Sequence, residues 1–269
     1  MKKIIFFDLD GTIKNKGNDI SENIYLAFKD LWKRNVFTTL NTGQNYHSLN
    51  YILKKNIKKI IHPSLPIGLE NGAKGVWANG EIFYTKKFKN EELDFLIDFV
   101  KNNLNKISFL AFSNGEKIEK SKIFVLDDNF FNSVNERYSK FYEIQTFNLS
   151  IFVKEFLKDS PGMLSIRPKE VIDLNSFPYF EAVRNEGYVN IAPKGVNKAL
   201  FVNKISEFLN LDYSSIAVCG NDENDFSMFE LNVLKKIFVL SAKKREEIVF
   251  DRVDFCDEPD LITDLLEDI

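Results

Sequence analysis

The sequence predicts an α/β protein in which a parallel-sheet core carries an inserted α+β domain. Two short apolar runs, residues 4–7 and 216–219, have the length and composition of strands that are buried on both faces. Residues 85–187 between them show a different pattern, which predicts aromatic-rich strands and helices with no concentration of catalytic residue types. We therefore expect a core made of residues 1–84 and 188–269, with residues 85–187 as the insert.

Composition excludes several classes of partner. The chain has 269 residues, of which 44% are hydrophobic and 28% charged, and its formal net charge is −3. A chain with no basic excess is not expected to bind nucleic acid or an anionic membrane surface. No apolar segment approaches the roughly 20 residues of a membrane span, and the run after Lys2 and Lys3 is too short for a signal peptide. We expect a cytoplasmic protein, and the sequence leaves its oligomeric state open.

The first strand ends in two carboxylates. Residues 4–7 lead into Asp8 and Asp10, and Gly11 and Thr12 follow. Two carboxylates held close together repel each other, so the arrangement is costly unless a cation or a proton lies between them. The alternative is that Asp10 and Gly11 only turn the chain, since Asp-Gly between apolar runs is a strong hairpin signal.

A helix and a second strand follow. Ser21 is predicted to cap a helix whose apolar face carries Ile24, Phe28, Leu31 and Trp32, and residues 36–40 form the next strand. A strand-helix-strand unit places its two strands in parallel, so Thr42 and Gly43 reach the same sheet edge as Asp8. In open α/β sheets ligands bind at that edge. Taken alone, Thr42 is better explained as the N-cap of a helix over residues 45–55, and the two roles are compatible.

The insert begins after a predicted hairpin at Asn79 and Gly80. It carries an amphipathic helix, marked by Leu93, Leu96, Ile97, Val100 and Leu104, and a second hairpin at residues 113–115. Its aromatic residues are interpreted as core, because apolar residues at regular spacing usually pack.

The parallel-sheet pattern is predicted to resume at Tyr188. A helix follows through Leu200, Ile205 and Phe208, and then the strand at residues 216–219 ends in an acidic turn, residues 220–225. As an alternative, such a turn only caps the next helix, residues 226–231. A last strand at residues 236–240 and a helix through residues 261–266 complete the core.

Cysteine and histidine usage limits the kind of metal site. Cys219 and Cys256 have no C-x-x-C spacing, and His47 and His62 are the only histidines. A zinc site of soft ligands is therefore improbable, and a metal here should be hard and bound through oxygen.

Four features now stand in one order. They are Asp8-x-Asp10-Gly11-Thr12, Thr42-Gly43, Lys198, and Gly220-x-x-x-Asn224-Asp225. This order resembles the haloacid dehalogenase superfamily of phosphatases, in particular the Cof-like branch with a type IIB cap inserted between the second and third motifs. Glu70-Asn71-Gly72-Ala73 and Pro193-x-Gly195-Val196-x-Lys198 also match phrases of that branch. The resemblance implies a Rossmann-like core and makes residues 85–187 the cap domain.

The resemblance also implies roles. Asp8 would be the nucleophile that becomes an aspartyl-phosphate, and Asp10 would protonate the leaving alcohol and then activate water. Lys198 would supply the ammonium that offsets like-charge repulsion between a carboxylate and a phosphate.

Mg²⁺ is the implied cofactor. Its implied ligands are Asp8, the Asp10 backbone carbonyl and the 221–225 turn, with Asn221 and Asp225 first and Asp222 or Asn224 as further candidates. Thr42 and Gly43, with Gly11 and Lys198, would hold the phosphoryl oxygens.

Three positions depart from the family pattern. Asn221 stands where the family usually has Asp, so the metal would lose one negative charge or Asp222 would substitute. Gln44 stands where Arg is common, and Ser241 stands where Asn is frequent in this branch. These departures indicate an unusual substrate or a weakened enzyme.

Several functions remain open at this point. The leading prediction is a Mg²⁺-dependent phosphatase acting on a small phosphorylated metabolite, a sugar or polyol phosphate. The alternatives are a phosphomutase using the same nucleophile and a non-catalytic protein that binds a phosphorylated ligand. A signalling receiver domain also gathers carboxylates and a lysine at a sheet edge, but the large insert disfavours it.

Overall fold

Three sheets organise the protein in a computed structural model that describes residues 2–14, 19–53, 56–185, 187–239, 250–266 and 269. Within these residues the strands are β1 (Lys3–Phe7), β2 (Val36–Leu40), β3 (Ile67–Leu69), β4 (Lys74–Val76), β5 (Ile82–Thr85), β6 (Ile107–Phe112), β7 (Ser121–Val125), β8 (Tyr142–Thr146), β9 (Leu164–Pro168), β10 (Phe180–Asn185), β11 (Tyr188–Pro193), β12 (Ile216–Gly220), β13 (Lys235–Val239) and β14 (Val253–Cys256). The helices are α1 (Glu22–Lys33), α2 (Tyr46–Leu53), α3 (Ile57–Ile60), α4 (Asn90–Asn102), α5 (Asp128–Tyr138), α6 (Leu149–Asp159), α7 (Lys198–Leu209), α8 (Phe226–Phe229) and α9 (Ile262–Leu266).

The core is a five-stranded parallel sheet with the strand order β14-β13-β12-β1-β2. Phe7 of β1 lies opposite Cys219 of β12 on one side and Leu40 of β2 on the other. The residues that follow these three strands therefore leave the sheet at one edge, as predicted. The edge strand β14 was not predicted.

Alternate residues of β1 pack on opposite faces of this sheet. Phe7 contacts Phe28 of α1, with ring centroids 4.7 Å apart, and Phe6 contacts Phe201 of α7 at 5.7 Å. All four rings are fully buried, and burying a side chain of this size contributes about 2–3 kcal/mol. Layers of helix on both faces leave the carboxyl edge of the sheet as the place for a site.

A six-stranded sheet of order β10-β11-β9-β6-β7-β8 forms the insert. Its pairs are antiparallel except β7 with β8. Leu96 of α4 and Phe156 of α6 belong to the cluster on one face, whereas Val134 of α5 packs on the other face with Phe109. The prediction of a parallel-sheet core with an α+β insert is confirmed.

The prediction for Tyr188 is wrong. Strand β11, which starts there, pairs antiparallel with β9 and β10 and belongs to the insert's sheet. Its residues alternate between buried and partly exposed positions over residues 188–191, which suits a sheet with one open face better than a strand buried on both faces. We therefore propose that the insert extends from residue 85 to Pro193, the end of β11.

A small sheet of β3, β4 and β5 connects the two larger ones. The predicted hairpin at Asn79 and Gly80 joins β4 to β5, and Gly80 has a φ of +91°, which glycine adopts without steric cost. A bridge between Asn41 and Gly68 attaches β3 to the end of β2.

Several predicted boundaries shift. Ser21 occupies the N-cap position of α1, but its side chain makes no capping hydrogen bond. Helix α2 ends at Leu53, with residues 54–55 outside the described part of the chain, and Leu104 lies in a short 3-10 turn beyond α4. The expectation for Ser241 also falls outside the described residues. Among the helices of the described residues, none combines the length and the hydropathy that a membrane span requires.

Candidate active site

Lys198 stands at the centre of the candidate site. Its Nζ lies 2.5 Å from Asp8 Oδ1 and 2.5 Å from Asp225 Oδ1, and the lysine is fully buried. It is the first residue of α7, whose N-cap Asn197 accepts a hydrogen bond from the Leu200 amide. Asp8 and Asp225 thus meet at one edge of the parallel sheet, as predicted, and Lys198 reaches both from the start of α7.

The charged groups of this cluster, together with their burial, shift the pKa values of Asp8 and Lys198. Burial raises the pKa of Asp8 to about 7, and the Asp225 carboxylate adds to the rise while the Lys198 ammonium opposes it. Burial lowers the pKa of Lys198, but attraction to Asp225 and Asp8 outweighs this effect, so its pKa lies above the ordinary value. Lys198 is therefore a fixed cation between two carboxylates.

Asp225 fastens the acidic turn. Its Oδ2 accepts hydrogen bonds from the backbone amides of Asn221, at 2.9 Å, and Asp222, at 3.1 Å, while Oδ1 faces Lys198. Asp222 turns away from this cluster and caps the following turn, accepting from the Glu223 amide at 2.9 Å. The turn therefore has both of the roles considered for it. Asp222 caps a helical turn, and Asp225 brings a carboxylate to Lys198.

Asp10 follows Asp8 on the turn, and its carboxylate has partners outside the Lys198 cluster. Its Oδ1 lies 3.3 Å from Lys14 Nζ, and its Oδ2 accepts from Gln44 Nε2 at 3.0 Å. Gln44 is fixed in turn by Ser48, whose hydroxyl donates to Gln44 Oε1 at 2.5 Å. The sequence identified Gln44 only as a departure from the family pattern, whereas its amide holds the Asp10 carboxylate.

Gly11 lets the two loops approach. It has a φ of +89°, and a Cβ there would lie 2.3 Å from the Asn221 side-chain nitrogen. The Gly11 amide donates to the Lys14 carbonyl at 2.7 Å, so Asp10 and Gly11 do turn the chain as well as carry a carboxylate.

Asn221 brings its amide to the first loop. In one orientation its nitrogen donates to Asp8 Oδ2 at 3.2 Å and to the Asp10 carbonyl at 3.0 Å. In the other orientation its oxygen takes that place and accepts from the Thr12 hydroxyl at 3.0 Å. The choice between them rests on the surrounding hydrogen bonds.

With the Asn221 oxygen turned toward Asp8, this cluster of oxygens fits Mg²⁺. Oxygens bound about 2.1 Å from an octahedral Mg²⁺ lie about 3.0 Å apart, and the Asn221 amide atom has that spacing to Asp8 Oδ2 and the Asp10 carbonyl. No group of three or more His, Cys, Asp or Glu side chains in the described residues could hold a metal. The donor set therefore has less negative charge than a set of three carboxylates.

The loop after β2 carries Thr42 and Gly43. Thr42 is buried, its amide donates to the Gly68 carbonyl at 2.9 Å, and its Oγ1 accepts from the Gln44 amide at 3.2 Å. Helix α2 is capped by Asn45, whose Oδ1 accepts from the Ser48 amide at 2.8 Å. The N-cap interpretation of Thr42 is therefore wrong.

Glu70, Asn71 and Gly72 form an unusual turn beside this loop. Their φ angles are +54°, +53° and +89°, a left-handed run that costs of order 1–3 kcal/mol at each non-glycine residue. Asn71 Oδ1 accepts from Asn224 Nδ2 at 3.1 Å, and the Asn71 amide donates to the Thr42 carbonyl at 3.1 Å. Asn71 thus joins the Thr42 loop to the acidic turn. The sequence motif at residues 70–72 was identified from the family resemblance, but the sequence did not predict that Asn71 joins these two loops.

Comparisons with known proteins agree with this geometry. The sequence profile of the haloacid dehalogenase-like hydrolases matches residues 5–235. The chain is 26% identical to a phosphoglycolate phosphatase of Thermoplasma volcanium, over 87% of this chain and 84% of that protein. It is 23% identical to a putative phosphatase of Mycoplasma genitalium, over 85% and 84%. The solved structure of a sugar phosphatase of HAD subclass IIB superposes with a TM-score of 0.74 at 16% identity, over 99% of this chain and 98% of that one.

Proposed function

Because the chain belongs to the haloacid dehalogenase-like hydrolases, we propose that it is a Mg²⁺-dependent phosphatase of a sugar or polyol phosphate, acting through an aspartyl-phosphate. The observation that carries this proposal is the position of Lys198 Nζ, 2.5 Å from Asp8 and from Asp225 in a buried cluster. A structural ion pair needs one carboxylate. Here two carboxylates contact the same lysine, and one of them, Asp8, has a raised pKa. Perturbed pKa values of this kind are concentrated at functional sites.

Asp8 is the proposed nucleophile. One of its oxygens attacks phosphorus, the bond from phosphorus to the alcohol oxygen breaks, and Asp10 gives that oxygen a proton. Water then attacks the phosphorus of the aspartyl-phosphate and loses a proton to Asp10. The bond from phosphorus to Asp8 breaks, phosphate is released and the Asp8 carboxylate is restored. The hydrogen bond from Gln44 fixes the Asp10 carboxylate during both steps.

Lys198 and the loop of Thr42 and Gly43 would bind the phosphoryl oxygens. Asp225 is the positioning residue for Lys198, because both of its oxygens are already engaged by protein donors. We therefore assign Asp225 to the lysine and the turn in place of the direct metal contact expected from the sequence.

Asp8, the Asp10 carbonyl and the Asn221 side chain would hold Mg²⁺, with water completing the coordination. When bound, the ion offsets the negative charge that the phosphoryl group and the nucleophile bring together. Asp222 caps its own turn and Asn224 bonds to Asn71, so neither is proposed as a ligand.

The proposal is tested with Asp8→Asn and the exposed control Asp94→Asn. We expect Asp8→Asn to lose Mg²⁺-dependent hydrolysis of p-nitrophenyl phosphate by at least about 10³-fold, because the nucleophile is removed. The control should keep the wild-type rate. Unchanged turnover in Asp8→Asn would exclude Asp8 as nucleophile.

The two alternatives give different results in the same assays. A phosphomutase would pass the phosphoryl group to an added sugar acceptor faster than to water, so the ratio of free phosphate to sugar product decides. A protein that only binds a phosphorylated ligand would release no phosphate above the buffer rate. The reduced charge of the Asn221 donor set is the one observation that favours this second alternative.

A further inference from the structure

A cavity of about 50 Å³ lies between the core and the insert. Its core side includes Gly43 and Glu70, and its insert side includes Ser113, Ser121 and Tyr142. Gly43 belongs to the loop that we propose for phosphate binding. A phosphorylated substrate held there would have its leaving group next to this cavity.

The strands of the insert present small side chains to this space. Ala111, Ser121 and Ser165 all line the cavity. Leu110, Leu164 and Ile166 are their neighbours along the strands, and these pack in the cluster with α4 and α6 on the opposite face. Alternation along a strand therefore directs the small and hydroxyl-bearing residues toward the core.

Two buried oxygens at this cavity have no partner among the described residues. One is Glu70 Oε2 and the other is Ser121 Oγ. The two side chains belong to residues that are only 3% and 2% exposed. Leaving a polar group buried and unpaired is unfavourable, so a ligand that pairs with both would bind with a clear gain.

The other oxygen of Glu70 is fully used. Oε1 accepts from the Ser113 hydroxyl at 2.5 Å and lies 3.6 Å from Lys74 Nζ, which also donates to the Asn114 carbonyl at 2.5 Å. These contacts join the core to the hairpin loop of the insert and hold the carboxylate in place. Oε2 is thereby left as a fixed acceptor.

A second cavity, of about 210 Å³, lies on the Lys198 side. Three of its polar side chains already have protein partners. Glu181 accepts from the Gly195 amide, Asn190 accepts from Ser165, and Ser227 accepts from the Ala199 amide. Of these two cavities, only the one at Glu70 is lined by residues whose buried oxygens have no partner in the described part of the chain.

We propose that the cavity at Glu70 and Ser121 binds the hydroxyl groups of the leaving alcohol and selects neutral polyol or sugar phosphates against phosphorylated carboxylates. This inference rests on the proposed phosphatase function. A hydroxyl group donates to Glu70 Oε2 and shares a second hydrogen bond with Ser121. A substrate carboxylate at the same place has no proton to donate to Glu70 Oε2, and the two carboxylates repel each other, although Lys74 on the Oε1 side offsets part of the Glu70 charge.

The experiment compares kcat/KM of the wild type, Glu70→Gln and Ser121→Ala on three substrates. These are glycerol 3-phosphate, which has neutral hydroxyls, 2-phosphoglycolate, which has a carboxylate, and p-nitrophenyl phosphate, which has neither. The matched controls are Glu136→Gln and Ser133→Ala, both on the exposed side of α5. Folding is checked by circular dichroism for every variant.

The wild type should prefer glycerol 3-phosphate to 2-phosphoglycolate. Glu70→Gln should lower kcat/KM for glycerol 3-phosphate about tenfold, because a hydrogen bond to a charged acceptor is lost, and should raise that for 2-phosphoglycolate. Ser121→Ala should lower the glycerol 3-phosphate value about threefold or more. The p-nitrophenyl phosphate values of both variants and all values of the controls should match the wild type.

The proposal is overturned if the wild type prefers 2-phosphoglycolate, or if Ser121→Ala leaves the glycerol 3-phosphate value unchanged. Ser121→Ala keeps the pair of Glu70 and Lys74, so it decides the matter even if Glu70→Gln does not fold. Hydrolysis of p-nitrophenyl phosphate without the expected selectivity would overturn this inference and leave the proposed function intact. A wild type that hydrolyses none of the three substrates would overturn both.

Discussion

Replacing the proposed nucleophile should make the metal-free protein more stable. In Asp8→Asn, the amide keeps the size of the side chain and can still accept a hydrogen bond from Lys198 Nζ. Lys198 also keeps its ion pair with Asp225 at 2.5 Å. The substitution therefore removes one buried negative charge and leaves a balanced pair behind.

The magnitude follows from the pKa of Asp8. Its rise from 3.8 to about 7 means that the folded protein favours the protonated acid. The stability that Asp8 contributes is complete below pH 3.8 and is lost as the pH rises through about 7. Each pKa unit corresponds to about 1.4 kcal/mol, so the loss is at most about 4 kcal/mol.

The assay is thermal unfolding of the wild type and Asp8→Asn at pH 5, 6, 7 and 8 with EDTA. The advantage of Asp8→Asn should grow with pH and reach of the order of 10 °C at pH 8. With Mg²⁺ in place of EDTA the wild type should recover most of the difference, because the metal binds the ionised form. The exposed control Asp94→Asn should show no such trend.

Two results would refute this reasoning. One is an Asp8→Asn variant that is less stable than the wild type at pH 8 in EDTA. The other is a stability difference that does not change between pH 5 and pH 8, which would mean that burial does not hold the proton on Asp8.

Three further variants test the surroundings of the site. Asn221→Asp should raise Mg²⁺ affinity at least about tenfold in titration calorimetry, because it adds a negative charge to the donor set; equal affinity would argue against that position as a ligand. Gln44→Leu removes the hydrogen bond to Asp10 and should lower kcat about tenfold for an alkyl phosphate. The loss should be much smaller for p-nitrophenyl phosphate, because its leaving group needs no proton. An equal loss of kcat on both substrates would contradict this role of Gln44. Gly72→Ala should cost about 3 kcal/mol or more in urea unfolding, because its Cβ would lie 2.1 Å from the Asn197 carbonyl oxygen at a φ of +89°, and a wild-type midpoint would contradict it.

The convergence of the site was predictable because it depends on strand ends. Parallel strands must release their following residues at one edge, so Asp8, Thr42 and the turn that ends in Asp225 had to meet once the strands were found. The roles of these residues stay predictions.

Contacts that depend on side-chain packing were not predictable. Nothing in the spacing of Gln44 and Asp10 indicates their hydrogen bond, and Glu70 looked like part of a family phrase with no task of its own. The assignment of β11 failed because a short, largely apolar run suits either kind of sheet. Only its alternation, with Asn190 partly exposed between buried neighbours, favoured the antiparallel sheet.

The position of β11 limits how this protein can be recombined with its relatives. The last strand of the insert ends at Pro193, and Lys198 follows after only four residues, 194–197. A chimera joined at Tyr188 would split the six-stranded sheet, because β11, which lies between β10 and β9, would come from the other parent. Exchange of specificity domains should therefore place the downstream crossover within residues 194–197, where Gly195 has no atom within 4 Å of the space a Cβ would fill.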